Sequence, residues 1–207
     1  MTHDHTHEAS HLAREQILNA ARVRFLQFGY HKTTMAEIAE DVGMSAANLY
    51  RYFANKQEIA AECAGRCMTE RLERLRAVAR DSRLSPGDKL TAYALAMIEH
   101  AYEMADPASK IGELVATIAR DRPSLIRDKI SIHHALITEI LSAGIDSGEF
   151  EVDDVIETAR DVYSAFVLFD VPLFIGLFDR EEFERRARGI SGLIRAGLGS
   201  GRVSPPA

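Results

Sequence analysis

Between Thr34 and Lys56 the chain gathers side chains suited to recognition: the hydroxyls of Thr34 and Ser45, the amide of Asn48, the phenols of Tyr50 and Tyr52, and the ammonium of Lys56. Groups of these types donate to phosphate oxygens, and an asparagine amide pairs bidentately with an adenine edge. Ala46 and Ala47 are small enough to meet a thymine methyl. No nucleophile stands beside a base here, and no set of metal ligands has a fixed spacing, so the stretch is equipped to bind and not to break bonds.

The same residues carry the signals that would position them. In TMAEIAEDVGMSAANLYRYF, residues 34–53, apolar Ile38, Val42, Leu49 and Phe53 recur at helical intervals, while Ala39 and Gly43 sit where two short helices must approach and turn. This is the spacing of a helix-turn-helix. Thr34 and Glu37 form a capping box that starts a helix at about Met35. Gly43 supplies the left-handed backbone that ends it, and Ser45 caps a second helix over Ala46–Phe53. Asn55 and Glu58 repeat the capping logic and open a third, longer helix.

A chain of 207 residues, 46% hydrophobic and 27% charged, buries a substantial core in one large domain or two small ones. Its net charge of −6 excludes a surface coated in basic residues, so any nucleic-acid contact is local. From His11 to Glu58 six basic residues (Arg14, Arg22, Arg24, Lys32, Arg51, Lys56) meet five acidic ones (Glu15, Glu37, Glu40, Asp41, Glu58). No apolar segment follows Met1 and only two cysteines occur, so the expected location is the cytoplasm. The greasiest stretch, Ala165–Phe178, is broken by Asp170 and Pro172 and falls short of the roughly 20 apolar residues that span a bilayer.

Elsewhere the pattern is helical throughout, without apolar alternation or hairpin dipeptides, and the expected fold class is all-α with about nine helices. Residues 1–10 and 199–207 read as disordered tails, 11–57 as a three-helix domain around the 34–53 motif, and 58–198 as a second helical domain. The first helix runs to a C-capping Gly29 and places Ile17, Leu18, Ala21, Phe25 and Phe28 on one stripe. Six further helices are predicted over 56–81, 86–105, 108–121, 124–147, 153–178 and 181–198.

The segment from about Ile17 to Cys63 resembles the tetracycline-repressor (TetR/AcrR) family of bacterial transcriptional regulators. The matching residues are FLQFGYHKTT, then MAEIAEDVGMSAANLYRYF, then NK at the start of the next helix. The resemblance implies a homodimer paired through the last two helices, here 153–178 and 181–198. It also implies a ligand-binding and dimerisation domain, and a small-molecule effector that moves the helix beginning at Lys56. A dimer sets two recognition helices in successive major grooves, so the expected partner is a palindromic double-stranded operator. The resemblance places Tyr50 and Tyr52 on phosphate or base and leaves Asn48 either on a base or on a phosphate. Lys56 is expected on phosphate, with Thr34 and Ser45 lending their helix starts. Against these stand a core role for either tyrosine and a solvated Arg51. A ligand that weakens DNA binding is itself bound less well by the DNA complex.

For the effector the candidates are polar tips on apolar helix faces, Tyr93, His100, His133, His134, Tyr163 and Asp170, with Tyr102 beside them and Met97 and Met104 as adaptable walls. Each has a satisfied structural role as its alternative. Asp170, between Val167-Leu168-Phe169 and Val171-Pro172, must be paired or sit at a helix break. The tail histidines His3, His5, His7 and His11 lack a rigid frame, and Cys63 with Cys67 lacks a second ligand pair, so no metal and no cofactor is expected. Two other functions stay open: a DNA-binding protein whose second domain only dimerises, and an all-α enzyme, for which the chain shows no catalytic constellation.

Overall fold

The computed structural model describes residues 2–104, 110–171 and 178–199. The expected tail from 200 onward lies outside these residues, as does the 172–177 part of the helix predicted over 153–178. Among the described residues there are nine α-helices and no strand: α1 Thr2–Phe28, α2 Met35–Asp41, α3 Ala46–Leu49, α4 Lys56–Ala79, α5 Pro86–Met104, α6 Ile111–Asp121, α7 Pro123–Asp146, α8 Val155–Asp170 and α9 Arg180–Gly199. No helix among them is long and apolar enough to cross a membrane.

Three boundaries differ from the sequence pattern, each for a physical reason. Helix α1 includes residues 2–10, whose polar composition suggested a tail; extending an existing helix costs far less than starting one. Helix α3 is α-helical only to Leu49, after which Arg51 N–H bonds Asn48 and Tyr52 N–H bonds Leu49 in tighter turns. Helix α8 ends at Asp170 because Val171 precedes proline and adopts φ −98°, ψ 115°.

The chain forms two compact units: 1–68 with 107–126, and 69–106 with 127–207. The first packs Ile17, Leu18, Ala21 and Phe25 of α1 against Ile38, Leu49, Phe53 and Ile59, and takes Leu114 and Ile118 of α6 into the same core. Lys110 N–H bonds the carbonyl of Leu26 at 2.7 Å, tying the start of α6 to the end of α1. Gly29 turns the chain after α1 with φ +93°, a backbone conformation that favours glycine, and the Glu113 carboxylate of α6 lies against it. The second unit packs α5, α7, α8, α9 and the second half of α4 around Tyr93, Met97, Ile137, Ile140, Phe166, Phe169 and Phe183. Helix α4 is thus one element that supplies side chains to both cores.

Candidate functional site

The helix-turn-helix is built as its capping chemistry requires. Thr34 Oγ1 accepts from Glu37 N–H at 3.3 Å, and Glu37 Oε2 accepts from the Thr34 N–H and hydroxyl, both at 2.8 Å. Those bonds, from the Thr34 hydroxyl first, hold the exposed Glu37 carboxyl below its usual range. Gly43 turns the chain with φ +66°, and Ser45 Oγ accepts from Asn48 N–H at 3.2 Å. The Thr34 hydroxyl therefore has both its proton and a lone pair in use, whereas Ser45 keeps its proton to donate outward.

Tyr50 is 53% exposed, clear of the core, while Tyr52 is half-buried against it and its carbonyl accepts from Arg14 at 2.7 Å. Ala47 is exposed, Ala46 and Asn48 half-exposed, and the side-chain amide of Asn48 makes a long contact of 4.0 Å to Met44 Sδ. Lys56, expected on phosphate, is employed otherwise. Its ammonium donates to the carbonyls of Tyr30 and Thr33, both at 2.7 Å, and lies 4.4 Å from the Tyr30 ring centre. Burial lowers its pKa, with Glu37 partly offsetting that. Lys56 holds the turn between α1 and α2, and so the entry of α2. Arg14 pairs with Glu62, and Arg24 with Asp41 and Glu37. Lys32 and Arg51 are exposed and carry no such pairing, so the uncompensated positive charge of this face resides on them.

In the second unit the structure brings four of the candidate ligand residues together and adds two that the sequence did not single out. Asp170, 1% exposed, accepts through Oδ2 from Lys129 Nζ at 2.5 Å and from the Tyr163 hydroxyl at 2.7 Å. Its Oδ1 lies 2.8 Å from Arg71 Nη2 and 3.6 Å from His133 Nε2. The Arg71 contact is ionic without hydrogen-bond alignment, because Nη2 is directed at the carbonyls of Met97 and Phe169, at 3.3 and 3.5 Å. Nη1 donates to the Asp170 carbonyl at 3.1 Å, so the guanidinium caps the open carbonyls that end α8. Tyr93 Oη lies 2.9 Å from His133 Nδ1, and the His133 ring stacks on Tyr163 at 4.8 Å.

Burial works against the Asp170 carboxylate, but Arg71 and Lys129 overcome it and hold the carboxyl well below its usual range. Burial pushes His133 down to about 4, so its ring is neutral at pH 7. It also raises the Tyr93 and Tyr163 phenols. Met97 contributes its carbonyl, and His134 meets the Tyr163 ring edge at 5.3 Å. The side chains of His100 and Met104 lie outside the described residues. Tyr102 stands apart and donates to the Phe178 carbonyl at 2.9 Å. Cys63 donates to the Leu18 carbonyl at 3.4 Å with its thiol pushed up to about 12 by burial, which makes it an inert core residue.

On α9 the residues Gly189, Gly192, Leu193 and Ala196 share one exposed stripe, with Leu193 76% exposed and nothing within 4 Å of a Cβ at either glycine. Ile156 and Val167 of α8 are exposed as well.

Comparison with known proteins accounts for both units. The family described as bacterial regulatory proteins, tetR family, matches residues 17–63, and the tetracyclin repressor-like C-terminal domain matches residues 86–191, about half of the chain. The chain belongs to the TetR family. It is a DNA-binding transcriptional regulator. This TetR-family regulator is 26% identical over 147 residues to the HTH-type transcriptional repressor KstR2 of Mycobacterium tuberculosis, a match covering 68% of this chain and 70% of that protein. It shares its fold with a TetR-family regulator from Mesorhizobium loti, with TM-score 0.73 and 21% identity over 90% of this chain and 96% of that one. The same holds for SmeT, the repressor of the Stenotrophomonas maltophilia multidrug efflux pump SmeDEF, with TM-score 0.66 and 19% identity over 93% and 97% of the two chains.

Proposed function

We propose that this TetR-family regulator is a repressor that binds a palindromic operator as a homodimer and leaves it when a small molecule occupies the second unit. One observation carries the reading: α4 begins at the helix-turn-helix with Lys56 and, four turns later, delivers Arg71 into the buried ionic cluster of the second unit. A change at Arg71 acts on the same helix that fixes the turn before α2. KstR2 and SmeT, both named as repressors, support the direction of regulation. In this reading the protein regulates transcription without being an enzyme and acts in the cytoplasm.

At the DNA, Tyr50, Asn48, Ala46 and Ala47 read the major groove, and Ser45 donates to a phosphate. Tyr52 supports the helix from its half-buried place, and Lys32 and Arg51 supply phosphate contacts. Thr34 and Lys56 position this face. In the second unit Tyr93, Met97, His133, His134, Tyr163 and Asp170 surround the effector, with His100 and Met104 on the same helix as Tyr93 and Met97. The exposed stripe of α9 and the apolar residues of α8 pair the two copies, since a surface of glycine, alanine and leucine permits close helix approach.

The test is duplex binding at fixed salt, with an operator selected from random DNA. Tyr50→Ala is expected to weaken binding at least tenfold, and Lys32→Ala and Arg51→Ala each to lower the salt slope by about 1. Unchanged affinity and slope in all three would remove the assigned face. Light scattering is expected to report a dimer that Leu193→Arg converts to monomer; a wild-type monomer at micromolar concentration would end the palindromic reading.

A further inference from the structure

The hydrogen-bond ledger of the buried cluster does not balance, and the imbalance has a definite shape. Three of its side-chain atoms are buried and meet no hydrogen-bond partner: Arg71 Nε, His133 Nε2 and Asp170 Oδ1. Arg71 and His133 side chains are 7% and 0% exposed. Arg71 Nε is always a donor. Asp170 Oδ1 is an acceptor, because the carboxyl is ionised between Arg71 and Lys129. The neutral ring of His133 has one proton, and its surroundings place it: Nε2 faces a carboxylate oxygen at 3.6 Å, while Nδ1 meets a phenol that can donate to it. Nε2 is therefore a donor, too far from Oδ1 to be satisfied by it.

Two donors and one acceptor remain, on three side chains that meet at one carboxylate oxygen. Nε2 lies 3.6 Å from Oδ1, and Nε is one guanidinium carbon away from an Nη2 that lies 2.8 Å from it. The complementary group accepts twice and donates once, which is a hydroxyl oxygen. A carboxylate on a ligand would oppose Asp170, and an ammonium would oppose Arg71 and could satisfy neither N–H. A plain hydrocarbon would leave all three atoms orphaned. The rings of Tyr93 and Tyr163, which flank His133, suit an apolar or aromatic body behind that hydroxyl.

We propose that the effector of this regulator is a neutral alcohol or phenol whose hydroxyl accepts from Arg71 Nε and His133 Nε2 and donates to Asp170 Oδ1. This rests on the effector-responsive reading above and names the chemistry of its ligand. An ordered water has the same hydrogen-bonding capacity, so the shared chemistry is a hydroxyl oxygen and the experiment separates its two sources. A site that hydrogen-bonds a hydroxyl discriminates strongly against analogues lacking one, because its buried groups are then left unpaired.

The full-length protein is titrated with phenol, benzyl alcohol and cyclohexanol, and with toluene, benzylamine and benzoate as shape-matched controls. The readout is the side-chain N–H resonances of Arg71 and His133, identified through Arg71→Lys and His133→Asn. The alcohols are expected to shift both resonances saturably, to bind at least tenfold more tightly than toluene, and to lose that advantage in His133→Phe. Alcohols no better than toluene would overturn the proposal and leave the three atoms to water; tighter binding by benzoate or benzylamine would overturn it in favour of an ionic ligand. Should His133→Phe not fold, the wild-type ranking of alcohol against toluene decides alone. Operator binding measured in parallel keeps the two readings apart. DNA released by a compound of another class refutes the hydroxyl and preserves the repressor, whereas failure to bind any duplex refutes the repressor itself.

Discussion

The two cores of this regulator handle charge in opposite ways. Around the helix-turn-helix the core is apolar, its buried polar residues Thr33 and Thr117 are neutral, and the ions stay at the rim, as in Arg14–Glu62, Arg66–Glu15 and Arg24–Asp41. The second unit buries Arg71, His133 and Asp170 among phenylalanines and tyrosines. A buried ion pair adds little stability over a hydrophobic replacement of equal volume, but its loss from one side is costly. The first arrangement suits a part that must present a fixed face; the second suits a part whose packing changes when a polar group arrives.

That contrast can be broken at its strongest point by Asp170→Ala, which leaves the Arg71 guanidinium buried without its carboxylate. The expected loss is about 3–5 kcal/mol in urea unfolding, with amide exchange rising in α5, α7 and α8. A loss under 1 kcal/mol would show that the cluster is not dry. Next comes pH. His133 titrates near 4 in the fold and near 6.5 when unfolded, so between those values the unfolded chain takes up a proton that the fold refuses. Stability should therefore fall as pH drops from 6.5 to 4, by on the order of 3 kcal/mol, and then level for this group. His133→Asn keeps an acceptor for Tyr93 and should flatten most of that slope. His134 is lowered too but is half-exposed and contributes less. Asp170 has the opposite linkage: its depressed pKa stabilises above the unfolded value and is lost only in stronger acid.

The first unit should respond more weakly. Ser45→Ala removes the cap of α3 and is expected to cost about 1 kcal/mol, read as a lower midpoint at unchanged denaturant slope. Arg24→Ala breaks a rim pair with Asp41 and should cost less than about 1 kcal/mol, shrinking further as salt is added. A larger loss from Arg24→Ala than from Asp170→Ala would invert the comparison.

How much of this was legible depended on how local the physics was. Thr34 with Glu37, Gly43 and Ser45 carry their meaning within a few residues, and the structure uses each as its type suggests. Asp170 was marked by its apolar neighbours as needing a partner. The partner is 99 residues away on α4, and neither Arg71 nor Lys129 stands out on helices rich in charge. Lys56 misled for the same reason: its position matched a phosphate contact, while the carbonyls that claim it belong to a turn 23 and 26 residues earlier. Local hydrogen bonds are written in spacing; burial of a charge is decided by whatever the fold brings beside it.

Leu114 and Ile118 give the chain a rule of inheritance. They fill the core beneath the helix-turn-helix although the other unit's stretch Thr69–Asp106 separates them from Met68. A gene cut after α4 would donate a DNA reader with a hole in its floor. Recombination between relatives can trade sensors intact only if the piece encoding α6 travels with the reader, or if the new sensor brings its own leucine and isoleucine to the same seat.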